Sequence, residues 1–155
     1  MTDELKNIYK QHGKLQYYFD EKVPCDLFRG QSRSEEKKGF PIIYPNPGFT
    51  NKDGKIRPAD VKIVERDGKQ FVLGCRSISG HYRGISVFDK PNPALLNFSW
   101  YKLPAGTAIP EALAITQDGN DKFKPNHYTI APKDDMPVEL FLIWLNALIK
   151  CLEPV

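Results

Sequence analysis

Gly84-Ile85-Ser86-Val87-Phe88-Asp89 and His127-Tyr128-Thr129-Ile130-Ala131-Pro132 are the two stretches on which the reading of this chain turns. The first places a serine among β-branched and aromatic neighbours, the composition of a short buried strand. In a strand, successive side chains point to opposite faces. Along the second stretch, His127 and Thr129 therefore share one face and Tyr128 and Ile130 the other, which makes one face polar. A buried Ser86 hydroxyl needs a partner, from backbone or from a ligand. His127 has two readings as well, a histidine satisfied by local hydrogen bonds or a functional imidazole.

Between and before these stretches the chain alternates short strand patterns with turn signals. Val61, Ile63 and Val64 lead into Asp67-Gly68, and Phe71, Val72 and Leu73 lead out. Asp-Gly suits the positive φ angles of a type I′ hairpin turn. Further strands are expected near Gln16 to Phe19, Asp26 to Gly30, Phe98 to Leu103 and Leu113 to Gln117. Residues 3 to 11 carry Leu5, Ile8 and Tyr9 at helical spacing, with Thr2 as N-cap candidate. A second helix is predicted from about Pro137 to Leu152, with proline at its start. It is apolar on nearly every face, which predicts burial between layers or against a partner. Gln31 to Asp60 reads as a long loop studded with Phe40, Ile42, Ile43, Tyr44 and Phe49, either a lid or the cover of a sheet edge.

Strands and helices mixed without strict βαβ alternation give an α+β class. The 155 residues suit one domain, residues 1–155, with a core of its own. At 41% hydrophobic and 26% charged the composition is globular, and 13 prolines with 11 glycines favour strands and turns over a helical bundle. A net charge of +3 with only Lys37-Lys38 as a basic pair lacks the basic stripe of a dedicated nucleic-acid binder. No apolar run approaches the roughly 20 residues of a membrane span. Met1-Thr2-Asp3-Glu4 is acidic, unlike a cleaved signal peptide, so action in a cytosol is expected, with secretion by a signal-independent machine left open.

Three widely spaced cysteines, Cys25, Cys75 and Cys151, predict neither a disulfide framework nor a zinc site. His12, His81 and His127 share no ligand spacing, so no metal site is expected. Phosphate loops, dinucleotide loops and nucleophile elbows are absent from the sequence. Arg29, in Leu27-Phe28-Arg29-Gly30, stands at a strand end. Its planar fork suits a phosphate or carboxylate, or a surface salt bridge. Leu103-Pro104-Ala105-Gly106-Thr107-Ala108-Ile109-Pro110 by itself signals a turn.

The order and spacing of these segments carry more than any one of them. Arg29 in Leu27-Phe28-Arg29, Gly84 with Ser86 to Asp89, Leu103 to Pro110, Gln117-Asp118, and His127 to Ile130 with Pro132 together resemble the ADP-ribosyltransferase-like toxins of bacterial type VI secretion. Within these, the chain is similar to the small cytoplasm-acting family whose toxin is blocked by a tightly bound immunity protein. The resemblance runs from about Leu27 to Met136 and is strongest from Gly84 to Pro132.

It implies two packed, mostly antiparallel sheets with flanking helices. NAD is implied as substrate, with a cognate immunity protein as partner. It also implies that Arg29 anchors NAD and that Ser86 holds the cleft together. The cleft is expected to be lined by Arg29, Tyr82, Ser86, Phe88, His127 and Thr129, with Ser86 and His127 as the catalytic candidates. In the wider superfamily an acidic residue precedes the turn that corresponds to Leu103 to Thr107. Here Phe98-Ser99-Trp100-Tyr101-Lys102-Leu103 contains no carboxylate. Asp89 and Glu111 are the nearby substitutes. Two other readings stand beside transfer of ADP-ribose, a binding module that kept the fold without the chemistry and a nucleotide- or RNA-modifying transferase.

Overall fold

A computed structural model of the protein describes residues 15–45, 49–50, 52–57, 59–75, 84–92, 95, 97–118 and 126–155. Twelve strands and two helices follow one another in it. They are β1 (Leu15–Phe19), β2 (Leu27–Gln31), α1 (Arg33–Lys37), β3 (Phe49–Thr50), β4 (Ile56–Arg57), β5 (Ile63–Arg66), β6 (Lys69–Val72), β7 (Ile85–Phe88), β8 (Ser99–Leu103), β9 (Leu113–Asp118), β10 (His127–Pro132), β11 (Met136–Pro137), α2 (Val138–Ile149) and β12 (Glu153–Pro154). The helix expected over residues 3 to 11 lies outside the described residues.

Seven strands form one sheet in the order β1-β9-β10-β7-β2-β8-β12, and three form a second in the order β11-β6-β5. Every pairing is antiparallel. The α+β architecture of two antiparallel sheets with helices is thus the one the chain adopts. A two-stranded ribbon, β3 with β4, stands apart from both sheets.

The β5–β6 hairpin turns on Asp67 and Gly68, at φ 51° and 77°. Both are positive, as the type I′ turn of an Asp-Gly pair requires.

Alternation along the large sheet separates two faces. Leu27, Ile85, Val87, Leu103, Leu113, Ile115, Tyr128 and Ile130 point to one side and form a single buried cluster. Val72 of the small sheet and Phe141, Leu145 and Leu148 of α2 close that cluster. The helix therefore buries one stripe in this shared core, lying against β6 and β11 of the small sheet. Within the chain this burial is one-sided: Leu140 is 41% and Ile143 66% exposed. The opposite face of β9 and β10 carries the small residues Ala114 and Ala131, packed with Cys75.

The stretch from Gln31 to Asp60 is not the unbroken loop its composition predicts: it begins with the end of β2 and with α1, and carries β3 and β4. Ser32 caps α1 in a reciprocal capping box with Glu35. Gln31 Nε2 donates to the Phe40 carbonyl at 2.8 Å, fastening the return of the chain to β2.

Candidate functional site

The pairing of β7 with β10 brings the two opening stretches of sequence together. Ser86 stands opposite Thr129, and Phe88 opposite His127. Directly opposed residues share a face, so Ser86, Phe88, His127 and Thr129 lie on one side of the sheet, away from the main core. Gly84 allows this approach. A Cβ at that position would lie 2.3 Å from the Ile130 carbonyl oxygen and 2.5 Å from Thr129 Cγ2.

Ser86 and His127 are diagonal neighbours across the two strands. His127 Nε2 lies 2.8 Å from Ser86 Oγ. The Phe88 ring meets the imidazole edge-on, with centroids 5.5 Å apart and planes at 61°. The imidazole is thus fixed by a hydrogen bond and by an aromatic wall. With its proton on Nδ1, it accepts from the serine hydroxyl and raises the electron density on Oγ. With Nε2 protonated, it donates to Oγ instead. Ser86 and His127 are both half-buried, whereas Thr129 is buried at 4% exposure. A molecule on this face can therefore reach the serine and the imidazole more readily than the threonine.

The face continues onto the neighbouring strands. Phe28 is opposite Phe88. On β8, Lys102 is opposite Phe28 and Trp100 opposite Gly30. Phe28 and Trp100 therefore extend the aromatic surface begun by Phe88. Sequence reasoning missed both, because pairing partners across a sheet are not visible in one strand. Lys102 lies 3.5 Å from Glu153 in an ion pair across β8 and β12.

Arg29 sits differently. It belongs to the core-facing side of β2 with Leu27 and Gln31, and is 8% exposed. β2 and β7 share one register pair, Phe28 with Phe88, whereas β2 runs in register with all of β8. The guanidinium reaches across where β2 and β7 separate. Nη1 donates to the Ser86 carbonyl at 3.0 Å, Nε to the Ile42 carbonyl at 3.1 Å, and Nη2 to Glu35 Oε2 at 3.5 Å. The geometry joins Arg29 to the Ser86 main chain, not to the polar face. Glu35, a third residue the sequence reading passed over, also accepts from Ser32 through Oε1. Its signal was present in the Ser32-x-x-Glu35 spacing of a capping box.

The two substitute carboxylates lie in different places. Asp89 follows Phe88 directly, and both of its oxygens accept hydrogen bonds from Asn126. Glu111 precedes β9 next to Leu113, which pairs with Pro132 at the far end of β10 from His127. The length of β10 separates it from the dyad, roughly 17 Å at about 3.3 Å per residue. Tyr82 lies outside the described residues.

Other features of the described residues stand apart from the dyad. No cluster of His, Cys, Asp and Glu among them is placed to hold a metal ion, and no helix among them is long and apolar enough to cross a membrane. A shallow depression of about 350 Å³ lies between β8 and β12, lined by Pro91, Phe98, Trp100 and Tyr101 with Pro154 and Val155. Its lining includes neither Ser86 nor His127.

The dyad and its surroundings occur in a chain whose residues 6–153 match the profile of the Tse2 ADP-ribosyltransferase toxin family. The chain belongs to that family. It is also 26% identical over 144 residues to the protein named Toxin Tse2 from Pseudomonas aeruginosa, covering 92% of this chain and 85% of that one. The fold is accordingly that of an ADP-ribosyltransferase-like toxin. In this family member the strand before Pro104 presents Tyr101, Lys102 and Leu103, with no acidic side chain among them.

Proposed function

We propose that residues 1–155 form one toxin domain that binds NAD on the face carrying Ser86 and His127 and transfers ADP-ribose from it to an intracellular target. The observation behind this reading is the 2.8 Å contact between His127 Nε2 and Ser86 Oγ on an accessible face of a family member's sheet. NAD supplies a glycosidic bond whose cleavage leaves positive charge on the ribose. A serine oxygen polarised by a neutral imidazole offers electron density to that charge, whereas a cationic His127 would oppose it. Phe88 and Phe28, opposite each other across β7 and β2, give planar rings a stacking surface. Arg29 acts here from behind, holding the Ser86 peptide in place through its carbonyl.

The residue types on this face fit the nicotinamide–ribose half of NAD better than its phosphates. Arg29, the arginine assigned to anchor NAD, has donors engaged by Ser86, Ile42 and Glu35. In keeping with the family, the toxin acts in the cytosol of a target cell, and a cognate immunity protein covers the site.

A second reading is favoured by the missing carboxylate before Pro104: a binding module that keeps the fold without the transfer chemistry. The two separate in one experiment. Induced expression inside a bacterium should arrest growth and deplete NAD or label a target with ADP-ribose. Ser86→Ala and His127→Ala should each relieve the arrest. Arrest that persists with neither NAD depletion nor labelling selects the binding module, and unimpaired growth removes the toxin reading.

A further inference from the structure

We infer that Asp89 is a positioning residue: through Asn126 it sets where His127 stands relative to Ser86. The β7–β10 ladder ends at the pair Phe88 and His127, and terminal pairs fray unless something closes them. Three hydrogen bonds close this one. Asp89 N donates to the Asn126 carbonyl at 3.2 Å. Asn126 N donates to Asp89 Oδ1 at 2.9 Å, and Asn126 Nδ2 to Asp89 Oδ2 at 2.8 Å. Two of the three use an ionised acceptor, the stronger kind of hydrogen bond. Asn126 is covalently next to His127, so this clamp fixes the backbone from which the imidazole projects.

The orientation of the Asn126 amide points the same way. Turning Nδ2 toward Asp89 leaves Oδ1 buried and without a hydrogen-bond partner among the described residues. An unpaired buried carbonyl is unfavourable and calls for an explanation. The carboxylate contact that the amide gains in exchange supplies one. Asp89 contacts neither Ser86 nor the imidazole through any described hydrogen bond, so its action on the dyad runs through the chain.

The structural claim rests on the hydrogen bonds alone, while its consequence for toxicity rests on the reading of the dyad given above. The test is a swap in the full chain. Asn126→Asp places two carboxylates face to face and breaks the clamp. Adding Asp89→Asn restores it with donor and acceptor exchanged: Asn Oδ1 accepts from the residue 126 N–H, and its Nδ2 donates to the new carboxylate.

The readout is the ¹⁵N spectrum of the His127 imidazole, calibrated against Ser86→Ala, in which the dyad contact is absent. Asn126→Asp should move the His127 signals to the Ser86→Ala positions, and the double variant should return them to wild type. Toxicity should follow, falling roughly a hundredfold in the single variant, as for an ångström-scale misplacement of a reacting group, and recovering in the swap. A folded single variant whose His127 signals match wild type overturns the inference. If the single variant does not fold, the swap decides alone. A swap that fails to fold, or folds with Ser86→Ala-like signals, also overturns it. Restored signals without toxicity in the swap would count against the proposed function and leave the positioning role standing.

Discussion

The side chain of Arg29 donates to the main-chain carbonyl of Ser86 at 3.0 Å, so the arginine buried behind the sheet and the serine on its accessible face are joined through one peptide unit. Its partners Glu35 and Ile42 tie α1 and the following loop to the same point. Arg29 is therefore an internal strut between β2, β7 and the segment after α1. Removing it leaves the Glu35 carboxylate, itself 8% exposed, without its cation. Breaking a buried pair from one side costs about 3–5 kcal/mol. Arg29→Ala should lower stability by that order in urea denaturation. Arg29→Lys should recover only part, because one ammonium does not reproduce a planar fork directed at three acceptors. Glu35→Gln, which keeps the acceptor and removes the charge, should be the milder change. A loss below about 1 kcal/mol in Arg29→Ala would contradict the strut, being ordinary for a surface charge.

Ser86 and His127 should behave in the opposite way. Neither supports the core, and each is half-buried. Ser86→Ala and His127→Ala should leave stability within about 1 kcal/mol, the net worth of a typical hydrogen bond. Activity should fall by roughly 10²–10³, the range for removing one group that stabilises charge in the transition state. On the proposed reading the two act as a unit, so the double variant should be no worse than either single one. Additive losses in growth assays would show two independent roles.

Much of this arrangement was legible in the sequence, and the reasons differ by element. The β5–β6 hairpin was readable because Asp67-Gly68 encodes its turn locally. The polar face of β10 was readable from alternation, since His127 and Thr129 are two apart. What alternation cannot supply is the partner strand, so the 2.8 Å contact to Ser86 and the placement of Phe28 and Trp100 appear only once the register is known. The inward face of Arg29 escaped for a related reason. A charged residue is ordinarily read as outward, and the carbonyls and carboxylate that satisfy it come from positions 35, 42 and 86. Helix α2 was legible in place and type, but its exposed Leu140 and Ile143 were not, because composition does not say which side a helix buries.

Gly84 offers a stability test close to the dyad. The atoms that an added Cβ would meet there are the carbonyl oxygen of Ile130, at 2.3 Å, and Thr129 Cγ2, at 2.5 Å. The first is backbone in a central strand and cannot turn aside. Gly84→Ala should therefore push β7 from β10, at a cost of about 1–3 kcal/mol or more, the usual range for overpacking. Because the same displacement separates Ser86 from His127, toxicity should fall even where the variant remains folded at growth temperature. Hydrogen exchange of the β7 and β10 amides is the direct check. Protection equal to wild type in those strands would show that the sheet absorbs the methyl group.

Alkaline pH should weaken the fold through Cys25 and Tyr128. The Cys25 sulfur lies 3.7 Å from the Tyr128 hydroxyl, near the end of the sheet that carries Asp89. Burial raises the Tyr128 phenol well above its ordinary value, with the Cys25 contact adding to the effect. Burial likewise raises the Cys25 thiol, against a smaller opposing effect from Tyr128. The unfolded chain releases these protons near their ordinary values, about 8.5 and 10. The folded chain holds them to higher pH. Above each ordinary value the unfolded state binds fewer protons than the native state, so stability falls as pH rises. Stability from these two groups should thus be complete below about pH 8.5 and decline beyond it. Urea midpoints measured from pH 7 to 11 should be flat and then drop. Cys25→Ser should flatten the first part of the drop and Tyr128→Phe the part above about pH 10. If Tyr128→Phe and wild type fall in parallel above that point, the phenol is ionising in the folded protein, and the buried, proton-holding hydroxyl is the wrong description of this corner of the sheet.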